Sequence, residues 1–263
     1  MKRIIFVANL KGGVGKTAFS KILLETLRAS GSVSVAAYDS DGGVGGLLAA
    51  YGTKDAEGYP SDDQDATIGV GGFDIRSDVE RGMILNCMET AADVILIDTA
   101  GGSLVDICKV TDAGEGTANL IDCLSQNGYR LTIAHVISNL LPSVKSVGAY
   151  VGAFGADADH VVVRNLAFGR DKMDFPYWYG YVDAMGARIG GSHRESVLRL
   201  GGVEIDLPDM PRTTFAKVEA MNIPYCQAQE ERSLQITERM HIQRFRKEFA
   251  LQCLSASKLL MPT

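Results

Sequence analysis

Nine residues near the start of the chain, Asn9-Leu10-Lys11-Gly12-Gly13-Val14-Gly15-Lys16-Thr17, restrict its fold more than any other stretch. An unbroken apolar run at 4–8 leads into them, and an amphipathic run at 18–28 follows. Strand, glycine-rich loop and helix in that order form a phosphate cradle. The glycines let backbone N–H groups converge on phosphate oxygens, and the helix N-terminus adds its positive dipole end. In such a loop Gly12, Gly13, Val14, Gly15 and Ala18 supply the walls, Lys16 reaches the β- and γ-phosphates of a nucleotide, and Thr17 ligates Mg²⁺. Two features depart from the common pattern: Leu10 stands where it has glycine, and Lys11 occupies a place for which it has no rule.

The remaining strand ends supply carboxylates. Residues 33–38 read as a second strand running into Asp39-Ser40-Asp41-Gly42-Gly43. Open α/β sheets bind ligands at the C-terminal ends of their strands, so a pair of aspartates there is a candidate site. An Asp/Gly turn is the other reading. Residues 93–98 form the strongest apolar strand after the first and end in Asp98-Thr99-Ala100-Gly101-Gly102. Apolar residues closed by an aspartate match a Walker B strand, whose carboxylate holds Mg²⁺. Gly101 can then offer its N–H to a γ-phosphate, which makes 98–102 a candidate switch loop.

Taken in order, the chain alternates strands with helices. Expected helices cover 18–28, 44–51, 78–91 (Val79, Met83, Ile84, Cys87 and Met88 inward), 114–127, 142–154, 182–200 and 213–220. Expected strands cover 67–75, 131–138, 161–165 and 203–207, with a long C-terminal helix over about 229–260 packing on the core. Residues 52–66 are polar and acidic and read as a surface loop or a partner-facing insertion. His135, alone in an apolar strand, reads as a core residue. The aromatic run 175–181 reads as an apolar plug over the sheet edge, or as a stacking or interaction surface. Arg188, His193, Arg194 and Arg199 would lie on a solvated helix or form a local positive face. The pattern predicts a doubly wound α/β fold, a mostly parallel sheet with helices on both faces, in one domain spanning 1–263.

Composition narrows the function. The net charge of −6 argues against nucleic-acid binding driven by overall charge, though not against a local basic patch. Five scattered cysteines without a CxxC pair suit a reduced, cytoplasmic protein and weaken any iron–sulfur or metal-delivery reading. No run approaches the ~18 apolar residues of a membrane span. Lys2-Arg3 is followed only by a strand-length apolar run, which is not a secretion signal.

The segments KGGVGKT, DSD and VILIDTAGG together resemble the deviant Walker A ATPases of the ParA/MinD family, P-loop NTPases. That resemblance implies ATP and Mg²⁺ as ligands and an ATP-dependent homodimer, with Lys11 reaching the partner's phosphates. It implies that Asp41 orients the attacking water and that Asp39 supports the Mg²⁺ shell held by Thr17 and Asp98. It also implies that Asn165, which a turn-forming role would equally explain, contacts the base, and that the loop beginning at Pro208 forms the outer wall of the nucleotide. Where the family often continues DxD with proline, this chain has Gly42-Gly43-Val44-Gly45. The segment Asn165–Gly169, the aromatic run and Glu204–Pro208 look similar to the plasmid-encoded StbB/TraL/MobD-type branch, which implies a role in plasmid stability or conjugative mobilisation through DNA or a DNA-bound adaptor. Some relatives insert a C-terminal helix into membranes; the acidic residues Glu238 and Glu248 here favour packing on the core or a partner. A P-loop synthetase acting on a small substrate, and a nucleotide-binding scaffold with little hydrolysis, are the alternatives.

Overall fold

The computed structural model describes residues 1–42, 45–112 and 116–262. Its first half runs β1 (Lys2–Ala8), α1 (Lys16–Ala29), β2 (Val35–Asp39), α2 (Gly46–Tyr51), β3 (Gly71–Gly72), α3 (Met83–Asn86), β4 (Val94–Asp98), α4 (Leu104–Asp112), α5 (Ala118–Gln126) and β5 (Tyr129–Ile137). The second half continues with α6 (Leu141–Phe154), β6 (Asp159–Asn165), α7 (Pro176–Tyr179), β7 (Tyr181–Val182), β8 (Arg188–Ile189), α8 (Ser192–Arg199) and β9 (Val203–Leu207). Four helices close the chain: α9 (Arg212–Met221), α10 (Tyr225–Glu230), α11 (Ile236–Ser255) and α12 (Ser257–Leu260).

Seven strands form one sheet in the order β3-β2-β4-β1-β5-β6-β9, and every pairing in it is parallel. Both faces are covered, which explains why the strands read as continuous apolar runs rather than alternating ones. In β1, Ile5 and Val7 point into a core shared with Phe19 and Ile22 of α1 and Phe245 and Phe249 of α11. Ile4, Phe6 and Ala8 point the other way, towards Ile107 of α4, Leu124 of α5 and Tyr150 of α6. The Phe19 and Phe249 rings meet edge to face at 5.7 Å, tying the C-terminal helix to the helix behind the glycine loop. No helix among the described residues is long and apolar enough to cross a membrane.

Several expected elements are shorter or different. Of the strand expected over 67–75 only Gly71–Gly72 pairs in the sheet. The helix expected over 78–91 is confined to α3 and a 3₁₀ turn at Cys87–Thr90, and Val79, expected inward, is exposed. Over this stretch the Arg81 guanidinium donates to the carbonyls of Ile75 and Arg76 and pairs with Asp78, which satisfies backbone acceptors of an irregular turn. The helix expected over 182–200 begins as a β7–β8 hairpin, and only α8 is helical. Gly186, Gly190 and Gly191 have φ of 82°, 79° and 85°, outside any right-handed helix. The C-terminal helix is interrupted between α10 and α11, where Leu234 is buried and a Gln235/Glu238 capping box restarts the helix. Residue 44 of the helix expected over 44–51, and residues 114 and 115 of that expected over 114–127, lie outside the described residues. Helix α4 was not anticipated.

The aromatic run is a plug. Phe175 and Trp178 are buried against Val144 and Val147 of α6, Val162 of β6 and Val197 of α8. Of the basic residues read as a solvated helix or a local positive face, Arg188 and Arg194 are ion-paired, as is Arg164 beside them. Arg164 pairs with Asp206 at 2.6 Å, Arg188 with Glu195 at 2.8 Å and Arg194 with Glu204 at 2.9 Å.

Candidate nucleotide site

The glycine loop connects β1 to α1 and is braced from both sides. On one side, the Asn9 amide donates to the carbonyls of Val136 (2.8 Å) and Ser143 (3.0 Å), while its Oδ1 accepts the Lys11 N–H at 2.8 Å. The Leu10 N–H donates to Ser146 Oγ at 2.8 Å, so α6 grips the start of the loop. On the other side, Asn165 at the end of β6 donates from Nδ2 to the Val14 carbonyl at 2.9 Å. Gly13 and Gly15 have φ of 73° and 98°, a region that L side chains avoid. A Cβ on Gly15 would also fall 2.3 Å from the Asn165 amide. Asn165, expected at the base, therefore acts first as a buttress of the loop.

Strand register brings the carboxylates together. Val7 of β1 pairs with Asp98 of β4, and Asp98 pairs with Asp39 of β2. Both aspartates are buried. Asp98 Oδ1 has no hydrogen-bond partner among the described residues. Burial, reinforced by the Asp39 charge, pushes the Asp98 carboxyl up to about 7, against the pull of the Thr17 and Ser20 hydroxyls and Lys16. Burial likewise raises Asp39 and lowers Lys16, the latter opposed by Asp98 and Asp41. Two desolvated carboxylates and an orphaned oxygen beside a threonine hydroxyl are the donor set a hard divalent cation takes, so Thr17, Asp98 and Asp39 fit Mg²⁺.

Asp39 has a further task. Its Oδ2 accepts the N–H groups of Leu47 (2.9 Å) and Leu48 (3.1 Å), so it caps the first turn of α2. A Cβ on Gly45 would sit 1.9–2.0 Å from that carboxylate. At this position the glycine-rich stretch that replaces the family's proline has a steric reason. Residues 43 and 44 lie outside the described residues.

Asp41 sits half exposed at the rim, where Arg76 Nη1 donates to its Oδ1 at 2.9 Å. Lys11 is exposed, and its ammonium makes no ion pair or hydrogen bond among the described residues. Gly101 faces Lys16: a Cβ there would be 3.9 Å from Nζ.

These residues enclose two adjoining cavities. One, of about 370 Å³, is lined by Gly12, Lys16, Thr17, Asp39, Asp98 and Gly101, together with Asp41 at its edge. The other, of about 210 Å³, is lined by Asn165, Phe168, Leu207, Pro208, Met210 and Phe245 and is mostly apolar. Gly13, Gly15, Ala18 and Phe215 border both. Val14 lines neither; it is buried and contributes its carbonyl to Asn165. A charged compartment over the loop and an apolar one beside it match the two halves of a nucleotide. Met210 belongs to the loop expected to form the outer wall, whereas sequence reasoning missed Phe215, Glu219 and Phe245. Phe215 and Glu219 stand at i and i+4 of α9, so one helix face was readable, but which cavity it faces was not.

A parallel doubly wound sheet, a glycine loop closing on a helix N-terminus, and aspartates ending two neighbouring strands define a P-loop NTPase fold. Comparison with solved structures agrees. A ParA family ATPase from Chlorobium tepidum TLS superposes with a TM-score of 0.53 at 13% identity, covering 95% of this chain and 98% of that one. The MinD cell division protein of Aquifex aeolicus gives 0.48 at 15% identity over 94% and 98%. A plasmid partition protein from Borrelia burgdorferi B31, bound to AMPPNP, gives 0.47 at 13% over 95% and 98%. At these identities the likeness is one of fold, and the first of the three carries it. No family model and no curated protein matches the sequence.

Proposed function

We propose that this protein is an ATP-dependent switch of the ParA/MinD type: an ATPase that dimerises on ATP and acts through DNA or a DNA-bound adaptor. The observation that carries this reading is the buried Asp98–Asp39 pair beside Lys16 and Thr17, with Lys11 unpaired at the mouth of the same loop. The nucleotide phosphates rest on the N–H groups of residues 12–17, and its base enters the apolar cavity between Ala18, Asn165 and Pro208. Mg²⁺ held by Thr17, Asp98 and Asp39 supplies charge neutralisation on the phosphates. Lys16, and Lys11 from the second copy, meet charge developing on the transferred phosphoryl group. Asp41 orients the attacking water. Gly101 offers its N–H to the γ-phosphate, and loss of that contact after hydrolysis relaxes the 98–102 loop. Turnover is slow and partner-stimulated, as befits a timer, and the setting is plasmid partition, plasmid stability or conjugative mobilisation.

The test is phosphate release with and without double-stranded DNA. Slow ATP turnover that DNA or a DNA-bound partner accelerates, abolished in Lys16→Ala, supports the reading. Turnover that appears only with a small amine or carboxylate co-substrate would transfer the site to the synthetase reading. Tight ATP binding without turnover would leave a scaffold.

A further inference from the structure

The mechanism leaves unexplained why an aspartate expected to orient water is joined to an arginine. The segment carrying that arginine is fastened to the loop after β2. The Phe73 N–H donates to the Asp39 carbonyl at 3.0 Å, the Ile75 N–H to the Ser40 carbonyl and the Gly42 N–H to the Phe73 carbonyl, both at 3.3 Å. Asp41 and Asp74 form an antiparallel bridge. Gly42, at φ 65°, is where the two backbones close in: a Cβ there would lie 3.3 Å from the Asp74 carboxylate. Asp74 Oδ1 then accepts the Arg76 N–H at 2.9 Å, which fixes the backbone from which the guanidinium extends. The guanidinium donates from Nη1 to Asp41 Oδ1 at 2.9 Å. Asp41 Oδ2 has no hydrogen bond among the described residues, and Asp41 lines the cavity over the glycine loop and lies near enough to Lys16 to affect it electrostatically.

We infer that Arg76 is a positioning residue for hydrolysis: it anchors Asp41 by Oδ1 and leaves Oδ2 turned to the cavity to accept a hydrogen bond from water. This rests on the role proposed for Asp41. A carboxylate at a half-exposed rim would otherwise sample several rotamers, and few of them aim an oxygen at one water. Fixing one oxygen by a charge-assisted bond removes that freedom at the reacting end. Arginine suits the task because its planar fork is stiffer than a lysine chain. Since an exposed ion pair adds little to folding, variants at this position fold.

The experiment measures kcat, KM and ATP affinity for wild type, Arg76→Ala, Arg76→Lys, Asp41→Ala and the Arg76→Ala/Asp41→Ala double variant. Arg76→Ala is expected to lower kcat on the order of 10²-fold, the scale of a misplaced group, with ATP affinity unchanged. Arg76→Lys recovers part of that loss. The double variant is no slower than Asp41→Ala, because the two residues act as one unit. A wild-type kcat in Arg76→Ala beside an inactive Asp41→Ala would overturn the inference and leave the proposed function standing. Loss of ATP affinity with kcat intact would also overturn it, by making Arg76 a nucleotide ligand. Full activity in Asp41→Ala, or a wild type without turnover, removes the reading beneath it and the inference together.

Discussion

At the residue scale, the site was legible wherever a backbone requirement dictates a residue type. Gly13 and Gly15 need positive φ, and Asp98 must end a buried strand, so pattern and chemistry coincide. Asn165 was read for the base alone, and its second task, the hydrogen bond to the Val14 carbonyl 151 positions away, is one that no local pattern encodes. Gly45 and Gly12 offer a contrast that separates folding from binding. A Cβ at Gly45 collides with the Asp39 carboxylate, whereas one at Gly12 meets nothing within 4 Å. Gly45→Ala should therefore cost about 1–3 kcal/mol as Asp39 is driven from its α2 cap, read as a lower urea midpoint at unchanged slope. Gly12→Ala should stay within about 0.5 kcal/mol of wild type. It should nonetheless bind ATP more weakly in calorimetry, because the proposed function puts phosphate oxygens in the open space over Gly12. Equal losses of stability in the two variants would contradict this division.

At the scale of elements, β1, β2, β4, β5, β6 and β9 were legible from their apolar residues, whereas two-residue β3 and the β7–β8 hairpin carry too few residues to show a pattern. The helices over 78–91, 182–200 and 229–254 were over-read because periodicity does not register what side chains do to backbone. Arg81 donates to carbonyls of an irregular turn, three glycines with positive φ open a hairpin, and a buried Leu234 divides the last helix. His135, read as a core residue, is one. His160 Nε2–H donates to the Gly155 carbonyl at 2.8 Å, leaving Nδ1 to accept from His135 Nε2–H at 3.0 Å, so the two rings join β5 to β6 as neutral imidazoles. Burial lowers both below the usual histidine value, and each ring has little to gain from a proton. In the unfolded chain both titrate near 6.5. Below that pH the unfolded state binds more protons than the native one, so stability falls as pH falls, by up to about 1.4 kcal/mol per pH unit for each histidine. Urea unfolding between pH 7 and 5 should show this slope, and His135→Phe should reduce it. An unchanged slope in that variant would place the acid sensitivity elsewhere. A second element-scale contact is Glu25 of α1, which accepts from the Arg246 guanidinium of α11, the Tyr51 hydroxyl at 3.0 Å and the Cys226 N–H at 2.9 Å. Glu25→Ala strips all three donors of their acceptor and should cost about 1–3 kcal/mol, measured by thermal or urea unfolding.

At the scale of the whole molecule, the C-terminal helices complete a site that begins at residue 9. Phe215 and Glu219 of α9 line the phosphate compartment, Phe245 of α11 lines the apolar one, and Glu219 pairs with Lys21, one turn beyond Thr17, at 2.9 Å. Of this long-range closure the resemblance pointed to Asn165 and the loop beginning at Pro208, while the contributions of α9 and α11 depend on tertiary packing that no local pattern encodes. Against that enclosed site Lys11 stands out. Lys16 is drawn inward among carboxylates, whereas Lys11 projects from the same loop with no partner among the described residues. A cation left free at the mouth of an anion site is matched by charge arriving from outside, and a second copy carrying its own triphosphate brings that charge. The expected outcome in multi-angle light scattering is a monomer with ADP, a dimer with ATP and Mg²⁺, and a monomer in both conditions for Lys11→Ala. Lys11→Ala should still bind ATP, since the cradle of residues 12–17 is intact, and this separates it from Lys16→Ala, which should not bind. A Lys11→Ala protein that dimerises as wild type does would confine Lys11 to its own subunit and leave the ATP-driven dimer without its proposed contact.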